Sequence, residues 1–472
     1  MSEPSQPSAQ KHLINLIRGW PAPSLHPTSL LSHSAQVILS DPSTSVPALQ
    51  YGPDSGYQPL REALASWLTR HYHDADSKYQ PDPERICVTG GASQNLANIL
   101  LSFTDVDVTR AVWMTAPCYH LACSIFEDAG FQGRLKAVPE DEDGIDVDIL
   151  ERKMSALEAE EEKSKPSPFK DPGPNRKHYQ HIIYVVTTCA NPSGKTLPLH
   201  RRESLVKLAR RHNALVISDD VYDFLQWPIG NSTSTQGSAS TDSFSSLPRL
   251  PRLSDVDRSL GHPSTGDARF GYAISNGSFS KVAGPGVRTG WVEATPAFAH
   301  GLAQTGATRS GGAPSQFCAA MMSDMVSSGA LEKFLKETTR PALQRRHALM
   351  MDSIEKYIFP HASIAIQKSS LPDAAIYGGY FVWFTLPEEF SAKQVADAAM
   401  QEENLIVAHG NMFEVRGDEE SAKFNRQMRL CFSWEDEKDI EEGVRRLGAV
   451  LARVKNGESS VTTGTADVNA FK

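Results

Sequence analysis

The sequence predicts an α/β protein built around a mostly parallel sheet. Short apolar segments at 85–89, 111–115, 182–187 and 214–218 each end in small or polar residues and lead into a helical pattern. Strands that are hydrophobic at nearly every position are typical of parallel sheets that are buried on both faces. Their alternation with helices predicts βαβ units.

Length and composition narrow the class of protein. The chain has 472 residues, of which 40% are hydrophobic and 22% charged, with a formal net charge of −9. This length suits two or three domains, and the negative charge argues against general binding to nucleic acid or membrane surfaces. No apolar segment approaches the roughly 20 residues that span a bilayer. The six cysteines form no Cys-x-x-Cys pair, so no metal site is predicted.

The first elements follow from turn residues and periodicity. The polar residues 1–10 predict a disordered tail without a secretory signal, so a cytoplasmic location is expected. An arm follows and ends at the glycine and prolines of 19–23, and a short helix is predicted over 28–40. A glycine- and proline-rich loop from 51 then leads to an amphipathic helix over 60–72.

The strand at 85–89 enters the turn Gly-Gly-Ala-Ser-Gln, which precedes a helix over 95–103. A glycine turn between a strand and a helix directs backbone N–H groups and the positive helix end toward a phosphate. An ordinary strand-to-helix turn is the alternative.

The remaining elements continue this pattern. Further strands are predicted at 111–115, 135–138, 182–187, 214–218, 291–294, 377–385, 405–407 and 426–433. Further helices are predicted at 120–129, 146–160, 199–212, 314–328, 330–357, 391–402 and 435–455, with an interruption at Pro341. Ser, Thr, Gly and Pro dominate 229–268, which predicts a mobile loop inserted into a domain.

The most distinctive motif is Ser-Asn-Gly-Ser-Phe-Ser-Lys-Val-Ala-Gly-Pro-Gly-Val-Arg-Thr-Gly-Trp, at 275–291. A desolvated lysine, here Lys281, has a lowered pKa and attacks an aldehyde. The planar fork of Arg288 suits a phosphate. An aldehyde and a phosphate on one small molecule describe pyridoxal 5'-phosphate (PLP). A surface loop with an ordinary lysine is the alternative.

Other predicted strand ends also carry residues that suit a ligand, and α/β sheets bind ligands at such ends. They are Gly91, Ala92 and Ser93, Tyr119, Asn191, and Asp219 with Tyr222. In this order the motifs resemble those of the class I/II aminotransferases of fold-type I. The matching stretches are Val-Thr-Gly-Gly-Ala-Ser-Gln, Ala-Pro-Cys-Tyr-His, Cys-Ala-Asn-Pro-Ser-Gly, Ser-Asp-Asp-Val-Tyr, the lysine motif, and Met-Arg-Leu-Cys-Phe-Ser.

The resemblance covers about 11–455 and implies a three-layer, fold-type I PLP-dependent transferase. It implies a large domain at 52–300 with a mostly parallel seven-stranded sheet and a smaller C-terminal α/β domain at 301–455. The segment 11–51 would form the N-terminal arm and part of the small domain. The Ser- and Thr-rich tail at 456–472 predicts disorder.

The resemblance also implies the roles of the cofactor-binding residues. Lys281 would hold PLP covalently and then act as the acid and base of catalysis. Asp219, three residues before Tyr222, would pair with the pyridine nitrogen. Tyr222 and Asn191 would bind the phenolic oxygen, and Tyr119 would stack on the ring.

The implied phosphate site combines the turn at Gly91, the N–H groups of Ala92 and Ser93, and the side chains of Ser278 and Arg288. Ala92 departs from the family, whose members often carry a hydroxyl or another polar group there. Tyr51 matches a tyrosine that the family lends across a homodimer interface to the partner's phosphate.

The implied substrate site uses Arg429, with Asn191, for the α-carboxylate. Gly19 would belong to an arm that closes over the substrate. The implied reaction moves an amino group between an L-amino acid and a 2-oxo acid. Gly311-Gly312 and Gly378-Gly379 indicate room for an aromatic or aminoadipate-like side chain.

Two other functions stay open at this stage. A carbon–sulfur lyase or an aminocyclopropane carboxylate synthase-like eliminase would use the same cofactor residues. A PLP-fold regulatory protein without turnover is disfavoured, because no basic DNA-binding module precedes residue 11 and Lys281, Asp219 and Arg429 are all present.

Overall fold

A computed structural model of the protein describes residues 11–74, 77–161, 167–229, 250–263, 265–367 and 376–459. The predicted tail at 1–10 and residues 460–472 of the C-terminal tail lie outside these ranges. The helices of the described residues are α1 Thr28–Ser40, α2 Pro42–Leu49, α3 Gln58–Tyr72, α4 Ala92–Phe103, α5 Leu121–Phe126, α6 Val147–Glu161, α7 Leu199–Arg211, α8 Leu253–Ser259, α9 Pro296–Ala303, α10 Gln316–Ser327, α11 Ala330–Phe334, α12 Arg340–Tyr357, α13 Ala392–Glu403 and α14 Glu437–Lys455.

The strands of the described residues are β1 Ile14–Asn15, β2 Ile86–Thr89, β3 Ala111–Ala116, β4 Leu135–Asp141, β5 Gly144–Ile145, β6 His181–Val185, β7 Ala214–Asp219, β8 Gln226–Pro228, β9 Ala273–Ser278, β10 Gly290–Glu293, β11 Ala365–Ile366, β12 Ile376–Gly378, β13 Phe381–Thr385, β14 Leu405–Ile406, β15 Ala408–His409 and β16 Gln427–Cys431.

A large sheet has the strand order β2-β10-β9-β7-β6-β3-β4-β5. The pairs from β9 to β4 are parallel, whereas β10 is antiparallel to both of its neighbours. The predicted sheet of seven mostly parallel strands is therefore confirmed, with the two-residue β5 added as an antiparallel eighth strand at one edge.

Both faces of this sheet are buried, which explains the continuous hydrophobic strands. In β3, Val112 and Met114 join one apolar cluster, while Ala111 and Trp113 join another. Successive side chains of a strand point to opposite faces, so these clusters lie on the two sides of the sheet. The result is the predicted three-layer arrangement.

A smaller antiparallel sheet has the order β11-β13-β16-β15 and is formed by the C-terminal half of the chain. The N-terminal arm joins this region, because β1 pairs with β14 in parallel and Cys431 N donates to Leu16 O at 2.8 Å. The arm thereby brings Ile17, Arg18 and Gly19 next to β16.

The structure corrects three sequence predictions of local structure. The described part of the predicted loop at 229–268 contains α8, whose Leu253 and Val256 are buried against the sheet. Residues 230–249 and 264 of this loop lie outside the described ranges. The helix α2, with Pro47 inside it, was not predicted. The single strand predicted at 377–385 is two strands, β12 and β13, because Gly379 between them has a φ of +72°.

Candidate active site

A cavity of about 230 Å³ lies where the carboxyl ends of β3, β6, β7 and β9 face the N-terminal arm and β16. It brings together residues from position 17 to position 429. The sequence-predicted residues that line it are Gly19, Ala92, Ser93, Tyr119, Asn191, Asp219, Tyr222, Ser278, Lys281, Arg288 and Arg429.

Lys281 projects into this cavity from a short helical turn, Phe279–Lys281, that follows β9. The Ser278 hydroxyl accepts the Ser280 N–H at 3.1 Å and so caps the turn. The ammonium group donates a hydrogen bond of 2.7 Å to the carbonyl of Gly19. Burial lowers the pKa of Lys281 to about 8, although the nearby Cys431 and Asp219 favour the charged form. The neutral, nucleophilic amine is therefore accessible near physiological pH.

Asp219 is the last residue of β7 and is buried. Its Oδ2 accepts a 2.6 Å hydrogen bond from the Tyr184 hydroxyl, whereas its Oδ1 is buried without any partner. Burial raises the pKa of Asp219 to about 6. The adjacent Asp220 accepts hydrogen bonds from the hydroxyls of Thr187, Ser218 and Ser275. Asp219, and not Asp220, therefore has a free oxygen at the cavity.

Arg429 extends from β16 and is 5% exposed. Its Nη1 donates to Asn191 Oδ1 at 2.7 Å, its Nη2 donates to the carbonyl of Ile17, and its Nε has no partner. Its guanidinium lies 4.0 Å from the ring centre of Phe381. Burial lowers the pKa of Arg429 to about 10. Arg429 forms no ion pair within the described part of the chain, so this buried cation suits an incoming carboxylate.

The glycine turn before α4 forms an anion cradle. Gly91 has a φ of +97°, and α4 starts without a side-chain cap, so the first helical N–H groups, at Ala92 and Ser93, stay available to a ligand. Arg288 donates to the carbonyl of Gly90 at 2.7 Å. A Cβ on Gly91 would lie 2.7 Å from the guanidinium of Arg288. Only glycine leaves this approach open.

Two tyrosines line the cavity beside Asp219 and Lys281. Burial and the charge of Asp219 raise the pKa of Tyr119 to about 12. The Tyr222 ring lies 5.9 Å from Lys281 Nζ and packs edge-on against Tyr380, and its burial raises the pKa of its hydroxyl well above the usual value. Both phenols therefore stay protonated and can donate hydrogen bonds at neutral pH.

Two of the predicted site residues lie outside the cavity wall. Gly91 does not line the cavity but lies beside Arg288, which does. Tyr51 is 88% exposed, and a Cβ added to Gly311 would lie 3.0 Å from the Tyr51 ring.

Neither glycine pair provides the room expected from the sequence, because neither lines the cavity. A Cβ on Gly378 would lie 2.4 Å from the carbonyl of Leu225, and one on Gly379 would lie 3.1 Å from Cys189. This pair at the end of β12 is closely packed and does not enlarge the cavity, and neither does Gly311-Gly312.

Sequence reasoning missed several cavity residues, among them Arg18, Trp20, Ser280 and Phe381. Ser280 adjoins Lys281, and Arg18 and Trp20 flank Gly19, so adjacency to predicted residues could have found these three. Phe381 carries no such signal, because it belongs to a uniformly apolar strand.

The described residues contain no cluster of side chains that could hold a metal ion. Across the same residues, no helix is long and apolar enough to cross a membrane.

The chain belongs to the family of class I and II aminotransferases, whose model matches residues 39–447. Enzymes of this family use PLP, and the chain is accordingly a PLP-dependent transaminase. This agrees with the resemblance seen in the motifs.

Individual relatives align over nearly the full chain. An uncharacterized protein of Saccharomyces cerevisiae is 32% identical, covering 93% of this chain and 96% of its own length. A 2-aminoadipate transaminase of Thermus thermophilus is 27% identical, covering 93% of this chain and 90% of its own. Among solved structures, a multiple substrate aminotransferase from Thermococcus profundus has a TM-score of 0.71 at 26% identity, covering 94% of this chain and 92% of its own.

Proposed function

We propose that the protein transfers the amino group of an L-amino acid with an aromatic or aminoadipate-like side chain to a 2-oxo acid. The observation that carries this proposal is that one cavity contains three polar groups with unsatisfied hydrogen-bonding capacity. They are the Lys281 amine, the free Oδ1 of Asp219 and the partnerless Nε of Arg429. The 2-aminoadipate transaminase of Thermus thermophilus, at 27% identity, supports the choice of substrate class.

These residues fit PLP. The buried Oδ1 of Asp219 needs a donor, which a protonated pyridine nitrogen supplies, and the uncapped start of α4 suits a phosphate. Lys281 lines the same cavity, with a lowered pKa that favours bonding to an aldehyde. When bound, PLP supplies an electron-accepting ring.

In the proposed mechanism, Arg429 binds the α-carboxylate of the amino acid and fixes the orientation of its Cα–H bond. Lys281 takes the proton from Cα on its neutral Nζ, and the carbonyl of Gly19 provides an acceptor that holds this group in place. The hydroxyl group of Tyr222 donates a hydrogen bond into the cavity. Asn191, which binds Arg429 Nη1 at 2.7 Å, orients the guanidinium.

We further propose a homodimer in the cytoplasm. Val46, Leu49 and Tyr51 are 58%, 64% and 88% exposed on and just after α2, and burial of this apolar group by a second copy would be favourable. In such a dimer Tyr51 would reach the phosphate site of the partner subunit.

A half-reaction tests the proposed function. The PLP-loaded protein is mixed with single amino acids in the absence of a 2-oxo acid, with the Lys281→Ala variant as the control. We expect about one equivalent of 2-oxo acid per site, and full turnover only after an acceptor 2-oxo acid is added. Continuous release of ammonia together with a 2-oxo acid would instead identify an elimination reaction.

A further inference from the structure

Arg18 places a second guanidinium in the wall of the cavity, and it is partly buried, whereas Arg429 is buried. The Nε of Arg18 is buried without a hydrogen-bond partner, and Arg18 forms no ion pair among the residues that the structure describes. The buried Nε–H group therefore loses hydration without a compensating hydrogen bond from the protein. An anionic ligand group would supply that compensation.

The position of Arg18 is well defined. Its N–H donates to Asn15 Oδ1 at 3.1 Å, and its carbonyl accepts from Cys431 Sγ at 3.0 Å. Its guanidinium carbon lies 4.7 Å from the ring centre of Trp20 and 5.0 Å from that of Trp434. Contacts with ring faces occupy no N–H group, so the planar fork stays available to a carboxylate.

Arg18 forms no ion pair with a carboxylate of the cavity lining. The lining contains four lysine and arginine side chains, Arg18, Lys281, Arg288 and Arg429, but a single carboxylate, that of Asp219. Under the proposed function, Arg288 faces the cofactor phosphate and Arg429 faces the α-carboxylate of the substrate. Glu435, whose charge interacts with that of Arg18, lies outside the lining and accepts the Asn15 N–H at 2.7 Å.

We propose that Arg18 binds the side-chain carboxylate of a dicarboxylic amino acid and of the corresponding 2-oxo acid. The inference rests on the proposed transamination, and it assigns substrate selectivity to the N-terminal arm. A neutral side chain would leave the buried Nε–H group of Arg18 without a partner, so substrates with a second carboxylate are favoured.

The test compares half-reactions of 2-aminoadipate and leucine in the wild type, in Arg18→Gln and in Arg18→Lys. We expect Arg18→Gln to lower kcat/KM for 2-aminoadipate by about 10- to 100-fold, the usual effect of losing a charge-assisted pair, and to change leucine by less than about threefold. Arg18→Lys should recover part of the loss, because it keeps the charge but not the fork. Arg345→Gln, at an exposed arginine 4.0 Å from Glu437, is the matched control.

Calorimetric binding of glutarate, compared with butyrate, gives a readout that does not depend on turnover. Arg18→Gln should weaken glutarate binding and leave butyrate binding unchanged. Equal losses for 2-aminoadipate and leucine, or an unchanged glutarate affinity, would overturn the role of Arg18 while transamination stands. If no amino acid reacts in any variant, the proposed function fails, and the glutarate measurement still decides the role of Arg18.

Discussion

The ε-amino group of Lys281 is expected to become reactive near pH 8. Burial lowers its pKa from 10.5 to about 8, and Cys431 and Asp219 oppose only part of this effect. A decrease of about 2.5 pKa units raises the neutral fraction at pH 7 by ~300-fold relative to an ordinary lysine. The depressed pKa therefore determines how readily this residue attacks an aldehyde at physiological pH.

Competitive labelling measures this pKa directly. The cofactor-free protein is treated with trace acetic anhydride from about pH 6 to about pH 11, and peptide mass spectrometry compares Lys281 with the exposed Lys333. Labelling of Lys281 should rise through a midpoint near pH 8 and level off above about pH 9. In Asp219→Asn the midpoint should move to lower pH, because Asp219 favours the charged amine. Labelling of Lys281 that still increases above about pH 10 would refute the reasoning.

Three further predictions concern the groups around Lys281. Asp219→Asn keeps the shape of the side chain but loses the charge of the free Oδ1. The transamination rate should therefore fall by about 100-fold or more, with the circular dichroism spectrum unchanged, and a rate within about threefold of wild type would contradict this. Arg429→Gln should raise KM for amino acids by about 10- to 100-fold. The thermal unfolding midpoint should not fall, because the described residues provide no carboxylate partner for Arg429. A large fall in this midpoint would show a structural role instead. Gly91→Ala should weaken PLP binding by about 10-fold in a fluorescence titration, because the added Cβ meets Arg288. Gly133→Ala is the control, because Gly133 also has a positive φ, of +76°, but no atom lies within 4 Å of an added Cβ. Equal PLP affinities of the two variants would exclude the collision.

The parts of the site that the sequence predicts best are those encoded by consecutive residues. The turn at Gly91 and the segment around Lys281 each combine a strand end with a local turn, so their chemistry is visible in one stretch of sequence. The family resemblance, in which the carboxylate stands three residues before the tyrosine, implies Asp219 and not Asp220. The structure adds the physical difference, which is that the oxygens of Asp220 are taken up by neighbouring hydroxyls.

The features that the sequence does not predict depend on tertiary packing. The helix α8 lies among serine and proline residues, and burial of Leu253 and Val256 against the sheet stabilises it beyond its local propensity. The expected room at Gly378 failed for a related reason, since a glycine can also mark a close approach of two backbones. The availability of Arg18 to a ligand could not be foreseen, because it depends on which residues of β16 and its neighbours approach the arm.

The most direct test of the account is to identify the residue that binds PLP covalently. The PLP-loaded protein is reduced with borohydride, digested and analysed by mass spectrometry, with Lys281→Ala treated in parallel. The account predicts a single modified peptide, with the cofactor mass on Lys281, and no modified peptide in the variant. Modification at another lysine, or unmodified Lys281 in protein that retains the cofactor, would contradict it.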